Sequence, residues 1–158
     1  KGPFLYDPAI RVPLIVSWPG VVPAGERRDT MVELADLAPT LLDAAALSRE
    51  PGMQARSLWP VLTGEHGEHR ESVYCEYYNS NPNEPKQFCT MVRTSTHKLV
   101  AFHGQDAGEL YDLRADPLEH ANLWDDPASE RVKLRLLNTL TDRMAETADP
   151  LPPRVGIY

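Results

Sequence analysis

Chemistry in this chain would have to come from a few residue groups. His66-Gly67-Glu68-His69, flanked by Glu65 and Glu71, has the residue types of a metal site. Its two histidines stand three apart in a glycine-containing loop, without the rigid helix that makes an HExxH pair a chelate, so the segment reads as a hydrophilic turn. Asp106, Glu109, Asp112, Asp116 and Glu119 supply carboxylates, but not at the spacing of a calcium loop, which needs its central glycine and terminal glutamate. No residue is assigned as a metal ligand. His97 falls in a predicted hairpin turn and is expected to be solvated. Neither Cys75 nor Cys89 opens a Cys-x5-Arg phosphate loop, since Asn81 and Ser95 occupy the arginine positions. There is no Gly-x-Ser-x-Gly elbow and no Gly-x4-Gly-Lys-Ser/Thr loop. The best functional residue left is Lys1, followed by Gly2.

The elements that must position such groups fall into two stretches. Pro13-Leu14-Ile15-Val16-Ser17-Trp18 is a continuous apolar run closed by Pro19-Gly20, the pattern of a strand covered on both faces in a mainly parallel sheet. Asp36 is placed to cap a helix over 36–47, with Pro39 in its first turn and Leu34, Leu37, Ala38, Leu41 and Leu42 on its apolar side. Residues 57–62 predict one more helical turn. A single strand and helix cannot cover both faces of a sheet, so this stretch expects neighbouring strands from elsewhere. Farther on, Ser72 to Tyr78, Phe88 to Thr94, Lys98 to Phe102 and Glu109 to Leu113 read as strands, the middle two joined as an antiparallel hairpin through Ser95-Thr96-His97. Residues 79–85 read as a loop. Asp126 and Pro127 open the clearest helix, in which Val132, Leu136, Leu140 and Met144 recur every four residues. Arg131, Lys133, Arg135, Asp142 and Arg143 are assigned to its solvated side.

With 158 residues, 42% of them hydrophobic and 25% charged, the chain has globular composition and enough length for its own core. Its 15 prolines favour turns and short elements over a helical bundle. Lys and Arg number 16 against 23 Asp and Glu, a net charge of -7, which disfavours a basic nucleic-acid groove. No run approaches the roughly 20 apolar residues of a membrane span. The start at Lys1-Gly2-Pro3, without initiator methionine or leader, leads us to expect a piece of a longer chain, compatible with a cytoplasmic or a periplasmic bacterial origin.

Several segments, in order, resemble the sulfatase family. Lys1-Gly2-Pro3-Phe4-Leu5-Tyr6-Asp7-Pro8-Ala9-Ile10-Arg11-Val12-Pro13 and the following apolar run resemble its stretch from the catalytic lysine, through an aromatic-acidic pair and an Arg-x-Pro, into a core strand. Asp36 to Leu42 is similar to its next helix, and Ala55-Arg56-Ser57-Leu58 to its Gly-Arg-Ser-Leu segment with alanine for glycine. Lys98-Leu99-Val100, Glu109 to Leu113, Asp116-Pro117-x-Glu119 and Asn122-Leu123 resemble the signature of its C-terminal subdomain.

The resemblance implies an α/β fold, the C-terminal fragment of an alkaline-phosphatase-like sulfatase. Residues 1–70 would be the last strand and helix of the main domain. Residues 71–158 would form a small subdomain, an antiparallel sheet with a C-terminal packing helix. It implies hydrolysis of sulfate esters, of small molecules or sulfated sugars, by a formylglycine made from Cys/Ser-x-Pro-x-Arg beside a divalent cation, usually calcium. Nucleophile and cation ligands belong to the preceding polypeptide, the expected partner, and none is expected to be held here. An oligomer is compatible with this. Cys89 to Arg93 has the spacing of the modification motif, but Met91 stands in place of its proline and the segment follows Lys1 instead of preceding it. Lys1 matches the lysine that contacts the substrate sulfate and assists the leaving oxygen, a task suited to an ammonium. Arg11, Tyr6 and Asp7 are read as anchoring and packing residues. The alternatives are a phosphonate or phosphate ester hydrolase on the same scaffold and a non-catalytic structural fragment.

Cys75 and Cys89 are expected to remain unbridged and to serve packing. Alkylation in denaturant without reductant should therefore add two groups to the intact mass. An unalkylated mass two hydrogens lighter would establish a disulfide.

Overall fold

The computed structural model describes residues 4–65, 67, 69–78 and 87–148. Its first element is one helical turn, α1 (Asp7–Ile10), with Pro8 near its start, where a missing N–H costs nothing. The apolar run that follows does not form a strand. Val12, Leu14, Val16 and Trp18 are exposed and Ile15 is 90% exposed. The physical reason is the one that the pattern carries: such a strand needs sheet neighbours on both sides, and none of the described strands pairs with it. Trp18 reaches Trp59 instead, with ring centroids 5.5 Å apart.

A 3-10 turn (Leu34–Asp36) leads into α2 (Leu37–Ala44). Here the expected cap is corrected. Asp36 makes no side-chain cap to α2; its carboxylate turns inward and accepts the N–H of Glu33 at 2.9 Å. Thr40, on α2, donates to the Asp36 carbonyl and accepts the Leu58 N–H at 2.7 Å, which seats α3 (Trp59–Thr63) beside α2.

The described strands form an antiparallel meander in the order β1 (Ser72–Tyr78), β2 (Phe88–Thr94), β3 (His97–Phe102) and β4 (Gly108–Asp112). The β2–β3 turn is shorter than the sequence suggests. Thr94 Oγ1 accepts N–H groups from Thr96 and His97, and His97 already pairs with Asp112 as the first residue of β3.

Strand alternation gives the sheet two apolar faces. On one, Val92, Leu99 and Leu110 pack with Leu136 and Leu140 of α4 (Glu130–Glu146). The predicted start of that helix is present as a 3-10 turn (Pro127–Ser129), with the Asp126 carboxylate accepting the Ala128 N–H at 3.1 Å. On the other face, Cys89, Met91 and Val100 cover Leu5 from the N-terminal segment. The sheet is thus the wall between α4 and the residues that follow Lys1.

Gly108 lies against the Trp124 indole, so a methyl group there would run into the ring. Gly108→Ala should cost about 1 to 3 kcal/mol by overpacking. Thermal or denaturant unfolding, followed by near-ultraviolet circular dichroism of the tryptophans, checks this.

Candidate functional site

Sheet register brings two cations face to face. Arg93 on β2 and Lys98 on β3 are direct cross-strand partners, with Val73 and Tyr111 at the ends of the same row. Lys98 is wholly buried. Like charges opposite one another destabilise a sheet, and a buried ammonium needs an ionised partner. Asp7, at the start of α1, meets both demands. Its Oδ1 lies 3.3 Å from Lys98 Nζ and 3.2 Å from Arg93 Nε, and its Oδ2 lies 3.2 Å from Arg93 Nη2. Glu119 closes the circuit: Oε1 pairs with Lys98 Nζ, while Oε2 accepts the Asp7 N–H at 2.8 Å. Glu119 achieves this with φ at 60°, a left-handed conformation uncommon for a residue with a Cβ.

Aromatic packing surrounds the circuit. The Tyr6 hydroxyl donates to Glu109 at 3.4 Å, and the Tyr6 ring lies 5.9 Å from Lys98 Nζ and 6.3 Å from the Tyr111 ring. Burial would raise the Asp7 carboxyl, but the Arg93 guanidinium and the Lys98 ammonium outweigh it and hold the group below the usual range. For Glu109 burial prevails and its carboxyl is raised, the Tyr6 hydroxyl and Lys98 only partly offsetting it.

A second buried cluster joins 33–36 to the sheet and to α4. Asp36, fully enclosed, accepts backbone N–H groups from Glu33 and Arg56, lies 3.0 Å from His69 Nε2 and pairs with Arg70. Glu33 bridges Arg70 and Arg143 and also accepts the Tyr74 N–H at 2.8 Å. Arg143 continues to the Ser72 carbonyl at 2.9 Å. Burial pushes the Asp36 carboxyl up, but the two N–H donors, His69 and Arg70 together bring it below the usual range. These contacts correct two expectations. His69 is not part of an exposed polar turn, and Arg143 is not on the solvated side of α4, because His69 answers the buried Asp36 carboxylate and Arg143 the half-buried Glu33 carboxylate. Glu33, Arg56, Arg70, Arg143 and Glu146 line a cleft of about 320 Å³ beside this cluster.

Lys1 lies outside the described residues, as do His66, Glu68, the predicted loop 79–85 and the tail from 149 onward. Arg11 does not reach the sheet as an anchor; its side chain is 72% exposed and 3.6 Å from Asp7 Oδ2. Tyr6 and Asp7 do pack and hydrogen-bond as read. The sequence reasoning missed Lys98 and Glu119 as partners of Asp7. The available signal was a lysine sharing its strand face with Val100 and Phe102. Cys75 and Cys89 form no disulfide, and burial pushes the Cys89 thiol up to about 11, with Cys75 and Glu109 adding to the effect. At neutral pH these thiols are poor nucleophiles. Arg93, bound to Asp7, is committed to the circuit. Among the described residues no group of three or more His, Cys, Asp or Glu is arranged to hold a metal ion, and no helix is long and apolar enough to cross a membrane.

Comparison with known proteins gives the family of the chain. The model of the family described as N-sulphoglucosamine sulphohydrolase, C-terminal, matches residues 2–146, and the chain belongs to that sulfatase family. It is 29% identical to an N-acetylglucosamine-6-O-sulfatase of Bacteroides thetaiotaomicron over 153 residues, 94% of this chain and 27% of the relative. The structure of BT4656 in complex with D-glucosamine-2-N,6-O-disulfate superposes with a TM-score of 0.63 and 30% identity, over 71% of this chain and 24% of that one. The phosphonate monoester hydrolase of Agrobacterium radiobacter superposes with a TM-score of 0.63 and 26% identity, over 72% of this chain and 25% of that one. The chain therefore spans about a quarter of the length of these relatives. Its fold matches the C-terminal strand-helix part and small sheet subdomain of alkaline-phosphatase-like sulfatases.

The lowered Asp7 carboxyl sets an acid dependence. A carboxylate whose native pKa lies below its ordinary value, 3.8, stabilises the fold fully above that value, and the contribution is lost as pH falls through the native pKa. Asp7→Asn should cost about 3 to 5 kcal/mol at neutral pH by leaving the buried Lys98 and the half-buried Arg93 short of an anion. Unfolding measured from about pH 7 to about pH 2 should show the gap between wild type and variant narrowing as pH falls. A constant gap would mean that the lost stability is not electrostatic.

Proposed function

We propose that this member of the sulfatase family is the C-terminal part of a sulfuric ester hydrolase. Residues 1–70 complete its main α/β domain and residues 71–158 form its antiparallel subdomain. The observation that supports this reading is that the residues just after Lys1 are built into the subdomain: Leu5 is buried against Met91 and Val100, and Asp7 joins the Arg93–Lys98–Glu119 circuit. A lysine at the head of such an anchored segment can hold an ammonium against a bound sulfate. Sulfate oxygens and the departing ester oxygen carry negative charge as the S–O bond breaks, and a fixed cation stabilises that charge without reorganising.

The described residues do not fit a divalent cation. Asp7, Glu119, Glu33 and Asp36 are already matched to Lys98, Arg93, Arg70 and Arg143, and no metal-holding cluster is found among the described residues. We therefore assign the cation and the formylglycine nucleophile to the preceding polypeptide, which is this chain's partner. The substrate class is a sulfate ester, and similarity to the BT4656 complex favours a sulfated sugar. Phosphonate monoester hydrolysis is the second reading, favoured by the equally good superposition on the Agrobacterium enzyme.

The isolated chain should hydrolyse no aryl sulfate at a meaningful rate, because nucleophile and cation must be held together for the chemistry. Metal-dependent turnover by the mass-verified chain would overturn this. In the complete enzyme, Lys1→Ala should remove roughly 2 to 4 kcal/mol of transition-state stabilisation, about 30-fold to 1000-fold in kcat/KM, with fold and metal content retained. Lys1→Arg should not restore the rate, since its planar fork places charge differently. Assaying the same preparations with an aryl sulfate and an aryl phosphonate separates the two readings.

A further inference from the structure

We propose that the cleft beside the Asp36 cluster binds a small oxyanion, the sulfate or carboxylate group of a ligand, through Arg56, Arg70 and Arg143. The inference does not use the catalytic reading of Lys1. All three arginines line the cleft, whose volume of about 320 Å³ suits a small charged group with part of its carrier. Two of them are held from behind. Arg70, with a side chain only 3% exposed, gives Nη1 to Glu33 and Nη2 to Asp36, and Arg143 gives Nη1 to the Ser72 carbonyl and Nη2 to Glu33. Each is left with a donor over. The Nε atoms of Arg70 and Arg143 are both buried and have no hydrogen-bond partner among the described residues. Such donors call for an acceptor, because a buried N–H left unmet forfeits the hydrogen bond that water gives it in the unfolded chain.

Arg56 supplies the uncommitted charge. Its backbone N–H is fixed on Asp36 Oδ1 at 2.9 Å, while the residue is exposed and its guanidinium pairs with no described carboxylate. A guanidinium offers parallel N–H groups to two oxygens of a sulfate or a carboxylate. The carboxylates at the cleft differ in how far they oppose this. Glu33 is engaged on both oxygens, Oε1 accepting the Tyr74 N–H and Arg143, Oε2 lying beside Arg70. Glu146, at the end of α4, has a side chain 55% exposed, and its Oε2 lies 3.1 Å from Arg143 Nε without the alignment of a hydrogen bond. It fills the place of an oxyanion poorly, and a half-exposed side chain can turn out to solvent. With Glu146 turned away, the three arginines face two carboxylates, Glu33 and Asp36, which leaves one positive charge for a ligand.

The test is isothermal titration calorimetry of the complete enzyme with inorganic sulfate and, separately, with glucuronate as the carboxylate probe, at an ionic strength held constant with chloride. Wild type, Arg56→Gln and Glu146→Gln are compared, and thermal unfolding is followed on the same preparations. Both substitutions fall on exposed residues, and the first keeps the backbone bond to Asp36, so the fold should be retained. Arg56→Gln should weaken binding by roughly 10-fold to 100-fold, the loss of a charge-assisted contact. Glu146→Gln should tighten it by roughly 2-fold to 5-fold, the removal of a competing exposed carboxylate. Opposite shifts from the two variants support the site, and the anion that shows them identifies the ligand group as sulfate, carboxylate or either. Sulfate held elsewhere in the enzyme responds to neither substitution. If neither anion's affinity moves with either variant, or if both variants weaken it alike, the proposal fails and the two Nε donors are met by water alone.

Discussion

Two cations opposed across the β2–β3 register set the central constraint of this chain. Arg93 and Lys98 cannot share a row of the sheet, one of them wholly buried, unless an anion lies between them. No neighbouring position in the row supplies one, since the row ends in Val73 and Tyr111. The anion comes from Asp7, more than eighty residues earlier, and from Glu119 in the loop after β4. Once Asp7 is held there, α1 lies on that face, Leu5 enters the Met91–Val100 cluster, and the Tyr6 ring tilts against Tyr111. The electrostatic demand of the sheet thus determines where the N-terminal segment runs.

The Asp36 cluster does the equivalent work on the other side of the chain. Glu33 and Asp36 flank the turn into α2, and their carboxylates bind Arg70 just before β1 and Arg143 near the end of α4. Arg143 then reaches the Ser72 carbonyl at the first residue of β1. The stretch before the sheet, the sheet and its covering helix meet at these charges. In both clusters the carboxylates are matched to cations of the same chain, so each cluster ties together stretches that lie far apart in the sequence.

The apolar run after α1 is the complement of this closed construction. Its Ile15, Val16 and Trp18 side chains are exposed, whereas Val92, Leu99, Val100 and Leu110 of the sheet are buried. A chain spanning about a quarter of its relatives, tied together by internal ion clusters yet exposing one strand-like run, is built as part of a larger α/β arrangement. That is consistent with membership of the sulfatase family, whose model covers residues 2–146.

The sequence by itself determined the elements whose signals are local. The strand-forming stretches 72–78, 88–94 and 98–102, the Asp126-Pro127 start and the four-residue recurrence from Val132 to Met144 each lie within one element, and each appears in the fold at nearly the expected bounds. Ordered motifs also carried the family. What only the tertiary structure decided is the assignment of buried charge. Asp36 has the look of a cap and Arg143 that of a solvated helix residue, because composition and period report only on neighbours along the chain. Lys98 finds its carboxylates 91 and 21 residues away, and the Glu119–Asp7 bond spans 112. Pairing at such separations depends on which faces the register and packing bring together. The strand predicted over 13–18 failed for the same reason: its apolar character is local, but a strand exists only through hydrogen bonds to another, and those partners are not among the described strands.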